Sequence, residues 1–428
     1  GMLIVSVFQL LNVRTSDISI CRFVKKFSLV LAGMQFFWLS LWNAVCLRPQ
    51  TYQFMTHRER LFAILEGKQP DILPWFGDLD YWANSLIKRG LKPGDFIQSA
   101  DYIQWHRDLN VGFYLQGYFP YKQIIEGCEV LEWNEGHKRY KEIRTAKGSV
   151  RECWEYIPAS YTEGPVEHFM KSADDLPIMK HIYENSRFEP DYDFANKRKE
   201  QVGDQGVVLC YTPKSPFMHL LALEAGIMSV TMTAMTQPDE FQELLEVMKT
   251  AFDQAAQIAV DSPAEVLMIP ENLSSEMVGP EFFEAYMRAY QEEWTSKIRE
   301  AGKYSYIHID GTLKGLLKQE ASVGFSVLEA LTPYPVGDLK WEDLAGFVGD
   351  SKSILWGGIP GAYFTDNVSE EEFERHMIHM IELMIQEPRY VLGVADQVPP
   401  DGLEERVRRV GELVEQYGKY GSGQQQGK

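Results

Sequence analysis

The chain has 428 residues, which is long for one ordinary domain and short for three, so its length predicts one large domain or two domains. Hydrophobic residues make up 45% of the sequence and charged residues 24%, and these proportions exclude a disordered or a collagen-like chain. The 61 acidic residues outnumber the 42 basic ones and give a net charge of −19, which argues against nucleic acid as a partner.

The N-terminal extension, residues 1–54, differs in charge from the rest of the chain. It carries five basic residues and one acid, a net of +4, so the remaining 374 residues hold a net charge of −23. Its uncharged run of 21 residues, Phe27 to Leu47, is by hydropathy a candidate membrane span or signal sequence. Three interpretations stay open: a membrane anchor, a soluble extension, or upstream sequence translated because the start was assigned before Met55.

We do not expect a membrane partner, because the uncharged run also contains polar residues and bulky aromatics. If the extension is ordered without lipid, its aromatic side chains must pack on the body of the protein or on a second subunit. A homodimer is therefore one assembly that the sequence leaves open.

The acidic part of the chain, residues 55–420, begins with a helix and a strand. Thr56 is a typical N-cap, and Glu59, three residues later, completes a capping box. The apolar segment Ile72–Phe76 predicts the first strand. Residues from about 79 to 200 look irregular, apart from a hairpin around the turn at Ala146–Gly148.

Beyond residue 205, six apolar segments predict strands: Val207–Tyr211, Val266–Pro270, Tyr304–Asp310, Val327–Thr332, Ile354–Ile359 and Tyr390–Asp396. Helical stretches such as Pro238–Val260, Pro280–Ala301 and Ser369–Gln386 separate them. Buried strands that alternate with helices are typical of parallel βαβ units. The Ile72 strand and one strand inside the irregular region bring the count to eight.

We therefore predict an α/β fold, a (β/α)8 TIM-type barrel over residues 55–420, with an irregular insertion near its N-terminal side. An open doubly wound sheet is the runner-up, but no Gly-rich phosphate turn follows any predicted strand. The low-complexity tail at 421–428 is predicted to be flexible.

The five cysteines show neither a CxxC pair nor zinc-finger spacing. Two of them, Cys21 and Cys46, lie in the N-terminal extension. This usage is typical of a reduced intracellular protein, so we predict a cytoplasmic location.

TIM-barrel chemistry takes place at the C-terminal ends of the strands, so the residues there are candidates for a functional site. They are Thr212, Glu271, Asn272, His308, Asp310, Glu329, Thr332, Gly357, Gly358 and Asp396. Four of them are carboxylates, and four unpaired buried charges would be costly to fold without a function. The alternative for any single one is helix capping, as for Asp310 before Leu313.

His308 and Asp310 lie two residues apart on one strand, so both side chains face the same side of the sheet. If that side is the barrel lumen, they could meet Asp396, three strands further along. A histidine with two carboxylates suits zinc or another divalent ion. A His–Asp hydrogen-bonded pair without metal fits the spacing equally well.

Several segments of the acidic part together resemble one known family. They are Arg58-Glu59-Arg60-Leu61 to Gly67, Pro70-Asp71-Ile72-Leu73-Pro74, Asn272-Leu273 with Gly279-Pro280-Glu281-Phe282, His308-Ile309-Asp310-Gly311, and Gly357-Gly358-Ile359. In this order they are similar to segments of the uroporphyrinogen decarboxylase (URO-D) superfamily. The resemblance covers roughly residues 57–420 and implies a (β/α)8 barrel, in agreement with the strand count.

The superfamily includes cobalamin-dependent methyltransferases, and the resemblance is closer to this branch. These enzymes bind zinc through a His-x-Cys-Gly strand end and a later cysteine placed shortly before a proline. Here His308 matches the histidine, while Asp310 and Asp396 stand at the two cysteine positions. The resemblance therefore implies that these three residues form a metal site and that a corrinoid is the co-substrate. Three alternatives stay open for the site: zinc, another divalent ion, or no bound metal.

True uroporphyrinogen decarboxylases carry an Arg-rich stretch after the first strand. The corresponding stretch here, Phe76 to Tyr81, has no arginine and two acids, so a polyanionic substrate would be repelled. Decarboxylation of a tetrapyrrole or another carboxylate is therefore the alternative function, with the same residues as metal-free acid/base groups.

The leading hypothesis is an enzyme that moves a methyl group between a corrinoid, or a methylated small molecule, and an acceptor at this metal. In this hypothesis His308 is catalytic as well as a ligand, Glu271 is a fourth ligand or a general acid/base, and Glu329 orients the substrate. Substrate or cofactor is bound by Thr212, Asn272, Thr332, Gly357 and Gly358. A third hypothesis is a non-catalytic subunit that binds a corrinoid protein or a ligand, in which Asp310 and Asp396 cap helices instead of converging.

Overall fold

The computed structural model describes residues 54–114 and 118–420, and those from Met55 onward belong to one compact unit. Residues 1–53 and 421–428 lie outside the described ranges, together with the predictions for the uncharged run and for the tail. Within the described ranges, no helix is both long enough and apolar enough to cross a membrane.

The described part begins with three helices around the first barrel strand. These elements are α1 (His57–Leu65), β1 (Trp75–Phe76), α2 (Asp80–Lys88) and α3 (Ala100–Asp108). The predicted capping box of α1 is confirmed, since the Thr56 N–H donates to the Glu59 carboxylate at 2.8 Å and the Glu59 N–H donates to the Thr56 hydroxyl at 3.2 Å.

An insertion follows, and it is more regular than the sequence predicted. Its elements are β2 (Tyr121–Ile125), β3 (Glu129–Glu135), β4 (Lys138–Thr145), β5 (Gly148–Ile157), β6 (Thr162–Glu167), α4 (Leu176–Glu184), β7 (Ser186–Pro190) and α5 (Asp193–Val202). Strands β3 to β6 form an antiparallel sheet, and β2 pairs with β7. The predicted hairpin is confirmed as β4 and β5, with Thr145 opposite Gly148.

The rest of the chain alternates strands and helices, as predicted. Its elements are β8 (Leu209–Tyr211), α6 (Pro216–His219), α7 (Gly226–Thr236), α8 (Pro238–Asp261), β9 (Val266–Leu273), α9 (Pro280–Tyr286), α10 (Arg288–Glu300), β10 (Tyr304–Ile309), α11 (Leu317–Val323), β11 (Val327–Leu331), α12 (Trp341–Phe347), β12 (Ile354–Pro360), α13 (Glu370–Met384), β13 (Tyr390–Ala395) and α14 (Glu404–Tyr417). The single helix predicted over 280–301 is two helices, α9 and α10, because the backbone leaves the helical conformation at Met287.

Seven parallel strands form one curled sheet in the order β1-β13-β12-β11-β10-β9-β8. The gap between β1 and β8 is closed by Gly112 and Phe113. The Gly112 N–H donates to the Trp75 carbonyl at 3.0 Å, and the Val207 N–H donates to the Phe113 carbonyl at 3.1 Å. The predicted barrel is confirmed, with two bridging residues in place of a full eighth strand.

Large side chains fill the barrel lumen. Phe76, Tyr114, Tyr306 and Trp356 are all fully buried there, and their rings contact one another. A second apolar layer packs the strands against the surrounding helices. The polar groups at the C-terminal ends of the strands therefore lie on a layer of buried aromatic side chains, and electrostatic interactions are strong in such an apolar environment.

Candidate metal and active site

His308, near the C-terminal end of β10, is the last member of a hydrogen-bonded series of buried side chains. Its Nδ1 is 2.6 Å from Oε2 of Glu329, which stands directly opposite on the neighbouring strand β11. The other oxygen of Glu329 accepts a hydrogen bond from the Tyr114 hydroxyl, also at 2.6 Å. Glu329 and Tyr114 are fully buried, so these hydrogen bonds fix the orientation of the imidazole ring from the interior of the barrel.

The other ring nitrogen of His308 faces two aspartates. Nε2 is 3.4 Å from Oδ1 of Asp396, which follows β13 directly. One oxygen of Asp310 joins them, and the three candidate ligand atoms all lie within 4.8 Å of one another. The Asp396 side chain is 45% exposed whereas that of His308 is 9% exposed, so the cluster opens to solvent on the Asp396 side.

The backbone at these strand ends departs from regular strand geometry. The pairing of β9 with β10 shifts register between Ile307 and Ile309, and that of β11 with β12 shifts between Leu328 and Leu331. Ala330, directly after Glu329, has a φ of 64°, an unfavourable conformation for a residue with a side chain. Irregularities of this kind re-aim side chains and are common at functional sites.

The acids around His308 control its protonation. Burial alone would lower the pKa of His308, but the charges of Glu329 and Asp396 outweigh burial and raise this pKa to about 10. Burial raises the pKa of Asp396, against the opposing effect of the His308 charge. The cluster therefore favours a positive charge at this point, which is either a proton on His308 or a metal ion in its place.

Helix capping does not account for the two aspartates. The backbone N–H groups of Leu313 and Lys314 donate to Asp338, at 2.8 and 3.3 Å, so Asp338 takes the capping position that the sequence suggested for Asp310. Within the described ranges, neither Asp310 nor Asp396 accepts a hydrogen bond from a backbone N–H group.

Asp78 belongs to the same end of the barrel and is absent from the sequence-based set of site residues. It follows β1, the neighbour of β13, and only 2% of its surface is exposed. One carboxylate oxygen accepts the Asp80 N–H at 2.8 Å, while the other has no hydrogen-bond partner. Burial raises the pKa of Asp78 well above its ordinary value, and the charges of Asp80 and Asp396 add to this rise.

The family model for uroporphyrinogen decarboxylase (URO-D) matches residues 160–417. The chain belongs to the URO-D family. The match contains β8 to β13 and with them His308, Asp310, Glu329 and Asp396. The family resemblance that the sequence motifs predicted is therefore confirmed.

Solved structures with the same fold include a methyltransferase from Methanosarcina mazei. The two chains are 16% identical and superpose with a TM-score of 0.55, over 85% of this URO-D chain and 99% of the other. This likeness supports the barrel fold. A search of curated proteins gave no match.

Among the described residues, Glu271 is not part of the His308 cluster of candidate metal ligands. Its side chain is fully buried and accepts the Ser215 N–H at 3.1 Å, with Gln291 at 3.4 Å. The buried ammonium group of Lys214 donates to the Pro270 carbonyl oxygen and, at 3.2 Å, to the side-chain oxygen of Asn272. Burial raises the pKa of Glu271, and the charge of Lys214 opposes this rise without cancelling it. The structure thus ties Glu271 to the barrel wall.

The remaining predicted residues also have partners within the barrel wall. The Thr212 hydroxyl donates to the Met268 carbonyl at 3.2 Å, and the Thr332 hydroxyl donates to the Ala330 carbonyl at 3.3 Å. Gly357 has a φ of 150°, and a Cβ there would lie 2.3 Å from the Leu331 carbonyl oxygen. Gly358 has a φ of 106° and little space for a side chain, and its carbonyl oxygen accepts from His376. A substrate-binding role for these residues stays a prediction.

Proposed function

We propose that this URO-D family protein is an enzyme that moves a methyl group between a corrinoid, or a methylated small molecule, and an acceptor. The reaction would take place at a divalent metal ion held by His308, Asp310 and Asp396. The observation that carries the proposal is the convergence of these three side chains at the C-terminal ends of β10 and β13, where TIM-barrel chemistry takes place.

The arrangement around His308 fits a metal ligand. Histidines that bind metals donate their second ring N–H to a carboxylate or carbonyl, which fixes the tautomer and the ring orientation. Glu329 occupies that position at Nδ1 and leaves Nε2 free to act as a ligand beside Asp396. One nitrogen and two carboxylate donors suit zinc and also other first-row divalent ions.

When bound, such an ion supplies Lewis-acid chemistry, which lowers the pKa of a thiol or hydroxyl on the acceptor. The protein's own side chains have roles that are separate from the chemistry of the ion. Tyr114 and Glu329 hold the imidazole ring, and Asp396, which is more exposed than His308, faces the side from which substrate would arrive. We assign Glu329 to orienting His308 and not the substrate, because its side chain is fully buried and both its oxygens are engaged.

The Methanosarcina mazei protein, which has the same fold, is a methyltransferase, and this supports the proposed function. Decarboxylation of a polycarboxylate fits the described residues less well. Asp310 and Asp396 are carboxylates at the C-terminal ends of the strands, so a polyanionic substrate would meet repulsion there.

The test is a methyl-transfer assay with methylcobalamin as the corrinoid and a small thiol as the acceptor, followed by cobalamin absorbance. We expect wild-type protein to accelerate demethylation and His308→Ala to lose the acceleration. Asp101→Asn, which changes an exposed carboxylate on α3, serves as the matched control and should behave like wild type. Absence of acceleration by wild type, or equal rates for wild type and His308→Ala, would contradict the proposal.

A further inference from the structure

A cavity of about 870 Å³ lies at the N-terminal ends of the barrel strands, at the opposite end from the His308 cluster. Tyr304 and Ile354, the first residues of β10 and β12, line it, together with Ser326 directly before β11. Catalysis in TIM barrels takes place at the other end, so a second active site is not expected here. The volume falls within the range of about 300–1,000 Å³ that is typical of small-molecule sites.

The charge of this cavity differs from that of the chain as a whole. The chain has 61 acidic and 42 basic residues, but the cavity is lined by four basic residues and, within the described ranges, by no acidic one. The basic residues are Arg299, Lys303, Lys352 and Arg389. A concave surface with charge of one sign concentrates ions of the opposite sign, so the cavity favours an anion.

Two of the four basic residues are engaged with other groups of the protein. Arg389 forms an ion pair with Glu387 at 3.1 Å, and the ammonium group of Lys303 donates to the Ser262 carbonyl at 2.6 Å. The charge of Arg389 is therefore compensated, and the Lys303 ammonium group is held at the Ser262 carbonyl.

The other two basic residues, Arg299 and Lys352, are exposed and form no ion pair with any residue of the described ranges. The Arg299 guanidinium donates to the Gly324 carbonyl at 3.2 Å, which leaves its charge without an acidic partner. Glu66, which lies between two residues that line the cavity, forms its own ion pair with Lys68 at 2.5 Å. Both Arg299 and Lys352 can therefore bind an anion that enters the cavity.

Hydrogen bonds hold the segments that carry these two cations against each other. The Ser353 hydroxyl, one residue after Lys352, donates to the Phe325 carbonyl at 2.7 Å. Arg299 donates to the carbonyl of Gly324, the residue directly before Phe325. The two cations therefore contact or flank adjacent peptide groups of one loop, which places both at the same part of the cavity.

The rest of the cavity lining is largely apolar, and it includes Ile64, Leu65, Phe325, Ile354 and Pro388. An inorganic anion would leave these side chains without a partner, whereas an organic anion would cover them and gain from their burial.

We propose that this cavity binds an organic phosphate, with the phosphate group at Arg299 and Lys352 and the apolar part of the molecule against the apolar lining. Arginine offers phosphate a planar fork of donors and lysine offers a point charge, and proteins use both to bind phosphate groups. This site is separate from the His308 cluster, so it does not depend on the function proposed for that cluster.

The test is calorimetry on the purified protein at constant ionic strength, with 2-naphthyl phosphate as the probe. Inorganic phosphate lacks the apolar part and 2-naphthol lacks the phosphate, so both should bind more weakly than the probe. Arg299→Gln and Lys352→Gln should each weaken binding of the probe about fivefold, the ratio that a partly exposed ion pair supplies. Arg89→Gln and Lys197→Gln, which change exposed cations outside the cavity, are the matched controls and should bind the probe like wild type.

Binding of the probe at the proposed metal site is the competing outcome, because a phosphate group can also bind a metal ion. His308→Ala should leave the affinity for the probe unchanged, and loss of binding in this variant would overturn the proposal. The proposal would also be overturned by wild-type protein that does not bind the probe or binds 2-naphthol equally well. An unchanged affinity in both cavity variants, or an equal loss in the two control variants, would contradict it as well.

Discussion

Replacing Glu329 with glutamine should remove a pH-dependent part of the stability of the protein. Glu329 is fully buried and accepts hydrogen bonds from Tyr114 and His308, each at 2.6 Å. Burial alone would lower the pKa of His308, but the Glu329 charge is the main influence that raises it to about 10. Glutamine keeps the size of the side chain and loses the charge, so the pKa of His308 should fall in the variant.

The sign of the effect follows from proton linkage. A histidine whose pKa is raised by folding stabilises the folded state fully below its unfolded pKa of about 6.5, and this stabilisation is lost as the pH rises toward 10. The difference between the two pKa values limits the contribution to about 5 kcal/mol. Removing one partner of a buried ion pair costs about 3–5 kcal/mol. We therefore expect a loss of about 3 kcal/mol near pH 6 and a much smaller loss near pH 10.

Urea unfolding of protein treated with a chelator, at about pH 6 and about pH 10, measures this difference. The exposed pair His379–Glu342 offers a matched control, because its atoms are 3.1 Å apart and its side chains are 58% and 47% exposed. Glu342→Gln should change the free energy of unfolding very little. Equal losses at both pH values for Glu329→Gln, or an equal loss for Glu342→Gln, would refute the reasoning.

Two further predictions concern the barrel. Gly206→Ala should lower the melting temperature by several degrees, because a Cβ at this position would lie 1.7 Å from the Phe113 carbonyl oxygen, which takes part in closing the barrel. The control Gly346→Ala should leave the melting temperature unchanged, because a Cβ there would meet no neighbouring atom within 4 Å. Equal melting temperatures of the two variants would contradict this prediction. Burial lowers the pKa of His106 to about 3, so wild type should lose stability as the pH falls below about 6.5. His106→Phe should reduce that loss in thermal unfolding at about pH 7 and about pH 4, and an unchanged pH dependence would count against it.

The barrel strands could be predicted because they are buried on both faces and read as continuous apolar runs. All residues of β11, β12 and β13 are buried. The eighth strand position of the barrel could not be located in the sequence. Gly112 and Phe113 fill it with one isolated bridge each, to Phe76 and to Gly206, so no apolar run of strand length marks it. The antiparallel sheet of the insertion was recognised only at its hairpin, because strands such as β3 are mostly exposed and lack a buried face.

For the candidate site, the rule that strand ends carry function found His308, Asp310 and Asp396, which the structure brings together. The same rule selected Glu271, whose side chain turns toward the Ser215 backbone, a direction that no sequence pattern specifies. The contribution of Tyr114 to the site could not be predicted from the sequence, because its hydrogen-bond partner Glu329 is 215 residues away along the chain.

Asp78 did have a sequence signal, since it is a carboxylate two residues after the end of the first strand. In the stretch Phe76 to Tyr81, two acids without an arginine predict repulsion of a polyanionic substrate, and this pattern assigns no role to either acid. What the sequence does not contain is the burial of Asp78 and its oxygen without a partner, which depend on packing against β13.

The metal content of the purified protein tests the central claim most directly. Elemental analysis of wild type beside His308→Ala, Asp310→Asn and Asp396→Asn measures the metal bound per chain. We predict about one divalent ion per wild-type chain and a large loss in each variant, because His308→Ala removes the nitrogen ligand and each Asp→Asn change removes the charge of a carboxylate ligand. Wild-type protein that holds no stoichiometric divalent metal after incubation with zinc, or variants that keep the full amount, would contradict the metal site and the function proposed for it.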